Sequence, residues 1–271
     1  MTVPDIITSS GDKTREVHIR VTDLEMRFGS FLIQKDLTFS VNKGEIFIIM
    51  GGSGCGKSTL LKHLIGLIRP ASGTIQYGET SFWDASADER AALMKKIGIL
   101  YQQGALWSSL TLAENLAVPM QEYTDLGPKT IREVASLKLS LVGLAGFEDF
   151  YPSEISGGMR KRAALARAIA LDPDILFFDE PSAGLDPISA KLLDDLILEL
   201  RDSMQTTIVV VTHELASIFA IGDNCVFLDP ETKTMIATGK PSSLRDHSAD
   251  SRVRTFLTRG LDGGSGSNHD A

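Results

Sequence analysis

The sequence predicts an α/β fold: a mainly parallel sheet wrapped by helices, with a helical segment inserted. Two observations predict it. Apolar runs inside 45–50, 174–180 and 206–214 ("EIFIIM", "DILFFDE", "TTIVVVTHE") are continuous, as strands covered on both faces require. Helical patterns separate these runs, and strands alternating with helices imply parallel pairing through crossovers. A chain of 271 residues with 43% hydrophobic content suits one such domain carrying an insertion.

Taken in order, residues 1–15 read as a loose polar tail. "EVHIRVTD" alternates Val17, Ile19 and Val21, and "DLTFSV" alternates Leu37, Phe39 and Val41, the period of half-buried strands. The buried strand 45–50 runs into a glycine-rich turn and a helix, and "SGTIQYG" follows. Ser86 with Glu89, and Thr111 with Glu114, have the spacing of capping boxes. Helical patterns between about 87 and 144 are interrupted by the short strand "IGILY" (97–101), and 105–160 reads as a mostly helical insert. In "DPISAKLLDDL", Asp186 can cap a helix whose first turn takes Pro187. After Gly260 the chain is low-complexity and reads as a disordered tail over 261–271.

Composition excludes some functions. A net charge of −8 and a pI near 5.2 argue against a nucleic-acid binder driven by bulk electrostatics. Two cysteines, Cys55 and Cys225, are too few for a disulfide framework and point to a reduced compartment. Neither a signal-peptide core nor an apolar run of roughly 18–20 residues is present. Membrane work by this chain would need a partner.

The strongest motif is "GGSGCGKS" (51–58): a glycine, four residues, then Gly-Lys-Ser, between a buried strand and a helix. Gly51, Gly52, Gly54 and Gly56, with Ser53 and Cys55 between them, let backbone N–H groups turn inward around a polyphosphate. Lys57 supplies a mobile cation, Ser58 a hydroxyl for Mg²⁺, and Thr59 supports the same helix start. Cys55 reads as a small tolerated residue. The run 174–180 then ends in adjacent acids. Asp179 is placed to hold Mg²⁺, and Glu180, pointing differently, to take a proton from an attacking water. His213 ends the next apolar strand, so it reaches the same edge and can hydrogen-bond a terminal phosphate.

A second glycine turn, "EISGGM" (154–159), offers the Ser156 hydroxyl and the open N–H groups of Gly157 and Gly158, but no lysine for a cradle of its own. Arg160, Lys161 and Arg162 crowd the positive end of that helix, which reads as a half-site awaiting an anion. The phosphate loop, "ISGGM", "FFDEPSAGLD" and "VTHE", in this order, resemble the ATPase subunits of ABC transporters from residue 17 to about 245.

That resemblance implies a P-loop NTPase of ABC type, its parallel core joined to an antiparallel β part, over 16–245 with a helical subdomain at about 105–160. It implies ATP and Mg²⁺, and a head-to-tail dimer in which Ser156, Gly157 and Gly158 touch the γ-phosphate held by the second copy. Phe28, in "MRFG", matches the aromatic that stacks on adenine, phenylalanine replacing the commoner tyrosine. Gln102 matches the glutamine that senses Mg²⁺ and links the nucleotide to the membrane subunit, and Asp186 matches the loop facing the opposing copy. Ile155 and Met159 depart from the usual leucine and glutamine without removing a phosphate donor.

The Met159 signature and the ending "DSRVRTFLTRG" (250–260) also look similar to the ATPases of Mla-type (maintenance of lipid asymmetry) phospholipid transport. This implies a peripheral protein on the cytoplasmic face of a Gram-negative inner membrane, with permease, periplasmic lipid-binding and small cytoplasmic partners, and no nucleic acid. Val253, Phe256 and Leu257 form one apolar stripe of an arm helix within 246–260, which either reaches the neighbouring ATPase or docks on its own domain. Leu106 and Trp107 either meet a permease helix or belong to the core of the insert. The alternatives are an ABC importer of amino acids or other small solutes and, in another class, a soluble ABC-type ATPase of DNA repair or translation. The latter usually carry a long coiled coil or a second cassette.

Overall fold

The computed structural model describes residues 16–259, so both tails read from the sequence, 1–15 and 261–271, lie outside the described residues. In chain order the elements begin with β1 (Val17–Phe28), β2 (Phe31–Asn42), β3 (Ile46–Gly51), α1 (Lys57–Leu64), β4 (Ser72–Tyr77) and β5 (Thr80–Ser81). Then come α2 (Ala87–Lys95), β6 (Ile97–Leu100), α3 (Leu112–Tyr123), α4 (Pro128–Leu141) and α5 (Gly157–Ala168). The remainder is β7 (Ile175–Asp179), α6 (Pro187–Met204), β8 (Thr207–Val211), α7 (Leu215–Ile221), β9 (Asn224–Asp229), β10 (Thr234–Gly239), α8 (Pro241–His247) and α9 (Ser251–Leu257).

Two sheets result. The larger has the order β10-β9-β3-β8-β7-β6, parallel throughout except for the β10–β9 pair. The smaller, β2-β1-β4-β5, is antiparallel. The continuous apolar strands are explained by the two cores they feed. From β3, Ile46, Ile48 and Met50 enter a core shared with the helices α3 to α7 and α9. Phe47 and Ile49, pointing the other way, enter a second core with α1 and the antiparallel sheet. Each such buried side chain contributes roughly 1.5–3 kcal/mol over exposure.

Local signals set several helix starts. Ser86 and Thr111 form reciprocal capping boxes with Glu89 and Glu114. Asp186 Oδ1 accepts the N–H groups of Ile188 and Ser189, each at 3.0 Å, and Pro187 occupies the first turn of α6. The strands β9 and β10 and the short helices α7 and α8 are absent from the sequence reading. β10 ("TMIATG") is a half-exposed edge strand with no clean alternation. Within 105–160, non-helical stretches flank α3 and α4, and Pro152–Glu154 forms a single 3₁₀ turn.

His63, on the inner face of α1, makes folding sensitive to acid. Its ring is buried, Nδ1 lies 2.7 Å from the Ile68 carbonyl, and burial holds its pKa below the usual 6.5. The unfolded chain therefore takes up this proton more readily, so the stability His63 contributes is intact above about pH 6.5 and is lost as pH falls through the folded-state pKa. His18 acts in the same direction, burial lowering its pKa first and Lys43 second. Asp179 and Asp194, whose carboxyls burial pushes up, act in the opposite sense. The fall in thermal midpoint between about pH 7.5 and 5.5 is accordingly smaller in His63→Leu than in the parent chain, as melts monitored by circular dichroism will show.

Candidate functional site

Strand register gathers the predicted residues at one edge. Ile49 of β3 and Asp179 of β7 both pair with Val211 of β8, so the carboxyl ends of three neighbouring parallel strands stand level. From this edge leave the glycine loop (after β3), the acid pair (at the end of β7) and His213 (two residues after β8). A crevice outside strand carboxyl ends is where open α/β sheets bind ligands.

The loop is a backbone cradle. Gly51, Gly54 and Gly56 have φ of +148°, +75° and +97°. A Cβ on Gly51 would sit 2.3 Å from the Leu228 carbonyl oxygen, and one on Gly56 would sit 2.7 Å from Ile33, so both positions require glycine. Lys57 Nζ curls back over the loop onto the carbonyls of Gly51 and Gly52 at 2.9 and 3.0 Å. The Cys55 side chain is buried beneath the loop, where burial pushes its thiol pKa up. Only its backbone shares the cradle.

One cavity of about 1020 Å³ joins Phe28, Gly51, Gly52, Ser53, Gly54, Gly56, Lys57, Ser58, Thr59, Gln102, Glu180 and His213. Phe28, a residue 56% exposed, stands at the tip of the β1–β2 hairpin, free to stack on a flat ligand. Glu180 is held in the left-handed region at φ +48°, an uncommon conformation for a non-glycine residue. Its N–H donates to Val211 O at 2.8 Å. Its Oε1 lies 2.8 Å from His213 Nδ1, while its Oε2 is buried with no hydrogen-bond partner among the described residues. A carboxylate oxygen left without a partner, on a residue that lines the cavity, keeps its capacity to accept a proton.

Ser58 Oγ and Asp179 Oδ1 are 3.4 Å apart. Burial, and then the charge of Glu180, raise the Asp179 pKa above the ordinary carboxylate range. Two hard oxygen donors beside a crowded acid pair fit Mg²⁺. Among the described residues no group of three His, Cys, Asp or Glu side chains could hold a metal. Mg²⁺ takes one or two protein oxygens and completes its shell with phosphates and water.

The second glycine turn lies apart from this cavity. Ser156 caps α5 by accepting the Met159 N–H at 3.3 Å, and a Cβ on Gly158 would meet the Ser189 hydroxyl at 3.1 Å, on the same α6 that Asp186 caps. None of Ser156, Gly157, Gly158 and Asp186 lines the cavity built around the loop. The basic residues that follow need correction. None of them lacks a partner in its own chain: Arg160, although exposed, donates to Ile155 O at 2.9 Å, and Arg162 to Val142 O at 2.7 Å and Gly143 O at 3.1 Å. Lys161, itself buried, bonds the carbonyls of Gln102 and Glu180 and so ties α5 to two walls of the site.

A chain carrying a phosphate cradle, a carboxylate–histidine pair and a detached serine-capped glycine turn has identifiable relatives. A family model described as "ABC transporter" matches residues 34–183. The chain belongs to the ABC transporter family. This family member is 40% identical to the Haemophilus influenzae intermembrane phospholipid transport system ATP-binding protein MlaF, across 90% of this chain and 92% of that one. It is 44% identical to the probable ribonucleotide transport ATP-binding protein mkl of Mycobacterium tuberculosis across 77% of this chain, and spans only 58% of that protein's length. The ATP-binding cassette MJ0796, in a dimeric post-hydrolysis state bound to ADP and Pi, superposes with a TM-score of 0.73 at 27% identity, over 82% of this chain and 98% of that one.

Sequence reasoning missed two buried residues that brace the site. Asn115 is buried and braces the loop after Gln102, accepting the Trp107 N–H at 2.7 Å and donating to the carbonyls of Trp107, Leu110 and Thr111. Gln34, also buried, donates to Cys55 O at 2.7 Å beneath the phosphate loop. Single polar residues in amphipathic segments give no periodic signal, so nothing in the sequence marked them. Leu106 packs against the helical core, whereas Trp107 is half-exposed, its ring covered on one side by Arg167. The arm helix α9 docks on its own chain: Val253 and Leu257 are buried in the core, and the Phe256 and Phe227 rings meet edge to face at 5.1 Å. Among the described residues no helix is long and apolar enough to cross a membrane.

Proposed function

We propose that this chain is the ATP-hydrolysing subunit of an inner-membrane transporter that moves phospholipids between the inner and outer membranes of a Gram-negative bacterium. It binds peripherally at the cytoplasmic face, and two copies enclose two ATP molecules and drive a permease. Periplasmic lipid-binding and small cytoplasmic subunits complete the system.

The observation that carries the enzymatic reading is the unpartnered Oε2 of Glu180, a residue that lines the cavity of the phosphate loop. In this reading Phe28 stacks on adenine, the loop N–H groups and Lys57 hold the phosphates, and Gln102 links the γ-phosphate side to the permease. Asp179, Ser58 and Gln102 would hold Mg²⁺, whose charge would offset that of the phosphates. Water attacks the terminal phosphorus, the bond to the leaving ADP oxygen breaks, and the water's proton passes to Glu180 Oε2. His213, with its proton on Nδ1, donates to Oε1 and keeps the base oriented. Ser156, Gly157, Gly158 and Asp186, remote from their own chain's cavity, serve the nucleotide of the other copy.

For cargo, the near end-to-end match to MlaF supports phospholipid. The higher identity to mkl, over a smaller part of that protein, favours a ribonucleotide as the second reading. Purifying the chain with its membrane partners and reconstituting the complex in vesicles separates the two. ATP-dependent transfer of labelled phospholipid is expected; ATP-dependent ribonucleotide uptake without lipid transfer would select the rival. Recovery of the chain with DNA or ribosomes instead of a permease would refute both.

A further inference from the structure

We propose that the last turn of α9 is a third wall of the nucleotide pocket, with Arg259 supplying a second cation, beside Lys57, for the phosphates. The inference rests on the reading of this cavity as the ATP site.

Thr255, Phe256 and Arg259 line the same cavity as Phe28, Lys57 and Glu180. Thr255 and Phe256 also border a smaller hollow with Gly52, so the helix lies against the start of the loop. Its position is fixed from two sides. The apolar side is the burial of Val253 and Leu257. The polar side is the 2.7 Å ion pair between Arg252 and the buried carboxylate of Asp229, at the end of β9.

Asp229 also connects this helix to the cradle. Its main-chain oxygen accepts Gln34 Nε2 at 3.0 Å, and the same amide nitrogen donates to Cys55 O within the loop. The anchor of α9 and the floor of the cradle therefore share one hydrogen-bonded side chain. Their relative placement is set by the fold rather than by a surface contact.

Arg259 then stands out by what it lacks. Arg245, Arg252 and Arg254, on α8 and α9, each have a carboxylate or carbonyl partner. The Arg259 side chain, exposed on the cavity wall, has no ion pair or hydrogen bond among the described residues. In a chain of net charge −8, an unpaired guanidinium on the wall of the cavity that holds the phosphate cradle favours anions, and its planar fork matches phosphate oxygens. The competing account is a cation that merely complements the C-terminal end of α9. That role would affect stability without affecting ligand affinity.

Titration calorimetry of the full chain with Mg²⁺ and ADP, which the chain cannot hydrolyse further, separates these accounts. Arg259→Ala should weaken ADP binding roughly five- to tenfold, Arg259→Lys should recover most of the loss, and the difference should shrink between about 0.05 and 0.5 M salt. Affinity within about twofold of the parent, or a loss that is independent of salt, would overturn the proposal. Lys57→Ala is the control for the site itself. If the parent bound no ADP, or Lys57→Ala bound it equally well, the ATP-site reading would fail; an inert Arg259→Ala beside a sensitive Lys57→Ala would refute this inference alone.

Discussion

Replacing Glu180 with glutamine lowers ATP hydrolysis by about two to four orders of magnitude while ATP binding persists, because the change removes a base and leaves the cradle intact. Glutamine keeps the length of the side chain, and its carbonyl oxygen can still accept from His213 Nδ1, now 2.8 Å from Glu180 Oε1. What disappears is the oxygen at the second position, buried and without a partner among the described residues, where a proton would be received. Binding should tighten. Glu180 is, after burial, the largest cause of the raised Asp179 pKa, and removing its charge makes the site less hostile to a triphosphate. Steady-state phosphate release and filter-retained ATP measure the two effects. A variant hydrolysing within about threefold of the parent would show that another group takes the proton.

Glu180 also shows what a sequence can and cannot convey. Its address was legible: an apolar run ends there, and parallel strands present residues at their carboxyl ends. The capping boxes at Ser86 and Thr111 and the Asp186-Pro187 helix start were legible too, because each is closed by neighbours within three residues. The left-handed backbone of Glu180 was not, since it depends on a bond to Val211 across the sheet. Lys161 misled for the same reason. Read locally it is one of three cations at a helix start, yet it reaches a carbonyl fifty-nine residues away. Strand β10 escaped because its residues, half-exposed along an edge, show no clean alternation, and β9 was missed with the strand it pairs with. Local rules recover what neighbours decide; contacts between distant segments are set by the whole fold.

Mixing two inactive variants should restore hydrolysis if the site is shared between chains. Ser156 lies on a helix apart from its own chain's cavity, and its hydroxyl does no more within the chain than cap α5. In the proposed dimer each pocket takes Lys57 from one copy and Ser156 from the other. Lys57→Ala and Ser156→Arg should each fall below about 1% of the parent rate, the first by losing the cation of the cradle, the second by filling the place of the phosphate. A mixed dimer gathers both lesions into one pocket and leaves the other intact. With random pairing about half the dimers are mixed, so the mixture should reach about a quarter of the parent rate. Loss of the cap itself costs about 1 kcal/mol, too little to unfold a domain of this size, and thermal melts of Ser156→Arg check that point. A chain that built its whole site from its own residues could gain nothing from mixing, so a rate no higher than that of the separate variants would exclude the shared pocket and return Ser156 to its capping role.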